Sequence, residues 1–134
     1  MKTKTIIYLL FTSIILTSCQ FIHINDNKSL GDGYYYVYDK PSSIIYSKEN
    51  NKGRDGTLVI PSSIEMEVDY SSSVISYNFN QKYIIAKTKD EKQSVKYWLL
   101  EKSTYNIEEP LTPLDSIQFY RMLSEKAIEL KFKE

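Results

Sequence analysis

The chain has 134 residues with 17 basic and 17 acidic side chains, so its formal net charge is zero. No basic excess is present to neutralise phosphates, which argues against a nucleic-acid partner. One cysteine and one histidine leave no material for a disulfide framework or a Cys/His zinc site, and the one histidine, His23, is too close to the N-terminal segment to serve as the framed base of a triad.

The first segment has the order of a secretory signal. Lys2 and Lys4 precede an apolar run from Ile6 to Leu16, 11 residues long and interrupted by Thr12 and Ser13. A spanning helix needs roughly 20 apolar residues, so a cleaved leader is the better reading. Leu16-Thr17-Ser18-Cys19 resembles the lipobox of bacterial lipoproteins. That resemblance implies that residues 1–18 are a signal peptide and that Cys19 carries a diacylglyceryl group and becomes the new N-terminus. Acyl chains such as palmitate hold a protein at a membrane because each buried methylene adds about 0.8 kcal/mol. The expected location is the cell envelope, anchored to a membrane outside the cytoplasm, and to the outer membrane in a diderm source. Losing Lys2 and Lys4 leaves 15 basic against 17 acidic residues, a net charge of −2.

Residues 19–30 read as anchor and tether, because Asn25-Asp26-Asn27-Lys28-Ser29 is too polar to build a core. Residues 31–134 read as a single domain, opened by the turn Gly31-Asp32-Gly33. Tyr34 to Tyr38 reads as a strand with Tyr34, Tyr36 and Tyr38 on one face and Tyr35 and Val37 on the other. Ile44 to Lys48 is a second strand, residues 49–56 a polar loop, and Thr57 to Ile60 a short strand ended by Pro61. Ile64 to Tyr70 alternates cleanly, with Glu65, Glu67 and Asp69 on the wet face. Val74 to Phe79, Tyr83 to Thr88 and Val95 to Glu101 form a meander with short polar connections. Tyr105 to Ile107 would add an edge strand. A helix follows, with Thr112 as N-cap, Pro113 in the first turn and Asp115 completing a capping box. Its apolar face is expected to hold Ile117, Tyr120, Leu123, Ala127 and Leu130.

Two groups of side chains could carry chemistry. Tyr34, Tyr36, Tyr38 and Trp98 could form an aromatic platform for a sugar or a protein, since Tyr and Trp bring rigid area and a polar tip. Glu65, Glu67 and Asp69 would stand roughly 7 Å apart along one strand face. Such carboxylates serve glycan hydrolysis or hold a hard cation, although a solvated outer face is the simpler reading. No cofactor, metal ligand set or catalytic residue is expected, and His23 sits in the tether without a frame to hold it.

Gly31-Asp32-Gly33-Tyr34-Tyr35, Ile75-Ser76-Tyr77-Asn78-Phe79-Asn80, Tyr83-Ile84-Ile85-Ala86-Lys87, Tyr97-Trp98-Leu99-Leu100 and Pro110-Leu111-Thr112 with Phe119 resemble, in that order, the small bacterial lipoproteins of domain-of-unknown-function family 3997. The likeness spans about residues 30–130. Two departures stand out: Glu109 replaces the glycine common before the helix, and the loop between the first strands is longer. The resemblance implies an envelope lipoprotein of unassigned activity and carries over no catalytic residue.

Together these features predict an α+β fold. A mostly antiparallel sheet of about six or seven strands should have one C-terminal helix on a face. The favoured function is a non-enzymatic binding or interaction module of the envelope, with a protein or glycan partner. A tethered immunity or inhibitor protein against a secreted toxin, and a carboxylate-based glycan hydrolase or cation-binding module, are the alternatives. The anchor is checked by intact mass: the processed chain is expected to start at an acylated Cys19, and Cys19→Ser is expected to abolish both acylation and membrane retention.

Overall fold

The computed structural model describes residues 27–39, 42–48, 57–62, 72–106 and 108–133. They form an α+β fold of seven strands in two sheets and a helix at the C-terminal end. The first sheet has the order β1 (Asn27–Gly31), β2 (Tyr34–Asp39), β3 (Ser42–Ser47), β4 (Thr57–Ile60). The second is the meander β5 (Ser73–Phe79), β6 (Tyr83–Lys89), β7 (Val95–Glu101). All pairings are antiparallel. The meander follows the sequence reading, and the expected single sheet is divided in two. The expected strand Ile64 to Tyr70 lies outside the described residues. Tyr105 and Asn106 are not in a strand.

The main core lies between the sheets. Leu30, Tyr34, Ile45, Val59 and Ile60 come from the first, and Val74, Ile84, Ala86, Trp98 and Leu100 from the second. Alternation along β6 and β7 explains the choice. Ile84 and Ala86 share a face with Trp98 and Leu100, while Ile85, Tyr97 and Leu99 point the other way. Trp98 is fully buried, and its indole N–H donates to the buried Thr88 hydroxyl at 2.9 Å. The second core covers the far face of the meander. It joins Ile85 to Phe119 and Leu123 of the helix and to Ile128, Leu130 and Phe132 beyond it.

The tether expectation fails at its end. Asn27 to Gly31 is a strand, and Leu30 is completely buried. Asn27, Lys28 and Ser29 are exposed and pair through their backbone with Val37, Tyr36 and Tyr35. Leu30 is the extra residue of a bulge between Ser29 and Gly31, which turns its side chain inward. The turn after it needs three positive φ angles, at Gly31, Asp32 and Gly33. Two glycines meet that need without the steric cost a Cβ carries. The Lys102 ammonium, nearly buried, donates to the Leu30 carbonyl and lies 3.7 Å from the Asp32 carboxylate. It ties this turn to the end of the second sheet.

The helix α1 (Ser116–Glu125) starts later than the sequence suggested. Leu114 exchanges both backbone hydrogen bonds with Tyr97, at 3.0 and 2.9 Å, so the chain before it runs extended beside β7. Asp115, not Thr112, is the N-cap, and it forms the capping box with Gln118. The buried face also differs from the expected one. Phe119 and Leu123 are buried, whereas Ile117 and Tyr120 are 74% and 52% exposed. Ala127 and Leu130 are not helical at all. Ala127 has φ +51°, its N–H bonds to Ser124, and the Ile128 N–H bonds to Leu123 at 2.8 Å. This is a Schellman stop with an alanine where glycine is favoured.

Two stability measurements follow. Thr88→Val keeps shape but leaves the indole N–H buried without a partner. It is expected to cost about 1–3 kcal/mol in denaturant unfolding followed by the fluorescence of Trp98. Ala127→Gly relieves the left-handed backbone and is expected to raise stability by about 0.5–1 kcal/mol, read as a higher melting temperature.

Candidate ligand-binding groove

The anticipated aromatic platform does not exist as an exposed surface. Trp98 and Tyr34 are core residues, at 0% and 4% exposure. Tyr36 packs on the same core, its ring 4.3 Å from that of Tyr77, and Tyr34 meets Tyr105 edge-on at 6.3 Å. Only Tyr38, near the end of β2, keeps an exposed face. The reason is the second sheet, which covers the Tyr34 and Tyr36 side of β2. Cys19, Glu65, Glu67 and Asp69 lie outside the described residues. Among the described residues no group of three or more His, Cys, Asp or Glu side chains comes together.

The sequence reading missed a groove on the opposite side of the meander. It holds a cavity of about 530 Å³, within the roughly 300–1,000 Å³ usual for small-molecule sites. Three stretches build it. Edge strand β5 contributes Ile75 and Ser76. Ile75 is the extra residue of a bulge between Val74 and Ser76, so it tips outward and is half exposed. The helix contributes Phe119, Tyr120 and Leu123. The chain after the Ala127 turn returns along the meander and closes the other wall with Leu130 to Lys133.

The period of that returning segment matters. Ile128, Leu130 and Phe132 point inward at every second position, the alternation of an extended chain. Phe132 stacks on Phe119 with centroids 5.6 Å apart, and Tyr97 closes the cluster at 6.2 Å from Phe132. The Asn78 side-chain amide donates to the Lys131 carbonyl at 2.7 Å and fixes the tail beside β5.

Among the described residues Lys87, Lys131 and Lys133 line the groove and no carboxylate does. The Lys87 ammonium lies 4.4 Å from the Phe132 ring centroid and 5.5 Å from that of Tyr97, in cation–π range. A sequence signal for the wall was available in the alternation Ile128, Leu130, Phe132 with lysines between. The outer face of the first sheet carries a second aromatic pair, Tyr35 stacked on Tyr46 at 5.4 Å with Lys48 above.

Comparison with models of protein families, with curated proteins and with solved structures finds no match.

Two half-buried tyrosines packed against the core, Tyr77 and Tyr105, make stability sensitive to alkali. Burial raises the Tyr77 phenol above 10.0, and the neighbouring Tyr36 raises it further; burial alone raises Tyr105. Folded and unfolded chains both keep these protons below about pH 10. Above it the unfolded chain loses them first, so stability is expected to fall as pH rises. Denaturant midpoints measured through this range are expected to decline less steeply in Tyr105→Phe than in the parent.

Proposed function

We propose that this chain is a lipid-anchored, non-enzymatic binding module of a bacterial cell envelope, and that it binds through the groove between the helix, β5 and the C-terminal segment. The anchor reading rests on Leu16-Thr17-Ser18-Cys19 behind an apolar leader. One observation carries the binding reading: a cavity floored by Phe119, Leu123, Leu130 and Phe132 whose charged lining, among the described residues, is lysine alone. Apolar concavity with a few convergent charges is the usual composition of a ligand site. A carboxylate hydrolase would place paired acids at its cleft, and none is among the described residues that line this groove.

The test compares two exposed tyrosines in living cells of the native host. A photo-crosslinking benzoyl-phenylalanine replaces Tyr120, at the groove, or Tyr38, far from it on the first sheet. An adduct of defined mass is expected at position 120 and not at 38. Equal adducts at both positions, none at 120, or turnover of cell-wall glycan by the purified chain would each overturn the reading.

A further inference from the structure

The lining of the groove separates into two chemistries. Its floor is made of Phe119, Leu123, Leu130 and Phe132, and its cations are Lys87, Lys131 and Lys133. Lys87 lies over the Phe132 ring at 4.4 Å from its centroid, and the exposed Lys131 and Lys133, its neighbours in the chain, line the groove beside it. Lys87 has no acidic partner among the described residues, so its charge is not already neutralised.

This division restricts the occupant. A wholly apolar molecule would dehydrate three ammonium groups and return nothing to them. A compact anion would engage the lysines but leave the partly exposed Leu130, Phe132, Ile75 and Tyr120 in water. A cationic amphiphile would meet like charge. The complementary shape and charge belong to one alkyl chain ending in an anion. We propose that the groove binds a long-chain fatty-acid carboxylate, its tail along the floor and its head among Lys87, Lys131 and Lys133. The proposal rests on the groove being the binding site and names the ligand class for it. The same face also exposes Ile117 and Tyr120. Docking of the whole face on an anionic bilayer is therefore the competing outcome.

The experiment uses the full chain in nanodiscs of zwitterionic phosphatidylcholine. The probe is a diazirine-tagged palmitate, compared with the same tail on a trimethylammonium head. The carboxylate probe is expected to label peptides within residues 117–133, and the cationic probe to label them about fivefold less, the ratio for roughly 1 kcal/mol of exposed charge pairing. Untagged fatty acids should compete, each methylene removed weakening competition about fourfold. Lys87→Glu with Lys131→Glu is expected to cut labelling by a similar fivefold, and Lys92→Glu, in a distant turn, to leave it unchanged. Unaltered Trp98 emission checks folding, and Lys87→Gln serves as the milder variant. Equal labelling by both heads, indifference to the lysine changes, or labelling that needs phosphatidylglycerol in the disc would overturn the proposal. An adduct at position 120 in cells without any palmitate labelling would retain the binding reading and remove this ligand.

Discussion

Strand β6 has to satisfy two cores at once, and the rest of the molecule is arranged around that requirement. Ile84 and Ala86 face the first sheet, while Ile85 faces the helix, and all three are fully buried. A strand with no wet side cannot stand in a two-sided open sheet. One side is closed by β1 to β4, which bring Leu30, Ile45 and Ile60 against it. The other is closed by Phe119, Leu123 and the segment after the helix. Each isoleucine so covered contributes about 1.5–3 kcal/mol, more than any surface ion pair in the molecule could return. The hydroxyl of Thr88 enters this sandwich with a partner, the Trp98 indole N–H.

The strands were legible wherever side chains alternated or ran apolar between polar turns. β4 and β7 begin and end where the pattern said, and the hairpin at Asn80 and the turn at Asp90 have local causes. The Asn80 side chain accepts from the N–H groups of Lys82 and Tyr83, and Asp90 accepts from Ser94. β1 was illegible for a physical reason. Its first residues contribute backbone hydrogen bonds and no buried side chain, so periodicity carries no trace of them. The helix start failed differently. Both Thr112 and Asp115 are good caps by chemistry, and only the long-range pairing of Leu114 with Tyr97 decides between them. The buried face differed as well, with Tyr120 outward and Phe119 inward.

The candidate site was harder to see than the fold. Its residues come from three separated stretches, none of which has a motif of its own. The alternation at Ile128, Leu130 and Phe132 was present, but Leu130 also fits a continued helix, and the left-handed turn at Ala127 that separates the two periods leaves no strong mark without glycine. The tyrosines pointed to the opposite face, where a second sheet buries Tyr34 and half-covers Tyr36. Composition marked aromatic surplus correctly and could not say which side of β2 would be covered.

The two walls of the groove differ in kind. Lys87 projects from β6, a strand hydrogen-bonded on both sides. The facing segment from Glu129 to Lys133 makes no backbone-to-backbone hydrogen bond among the described residues and is held by its apolar side chains and the Asn78 amide. One jaw is thus stiff and the other compliant. Spreading the soft jaw breaks no ladder, and an inserted hydrocarbon replaces the contacts it displaces. Tolerance for girth would come from the C-terminal side, while discrimination by charge would come from the rigid strand.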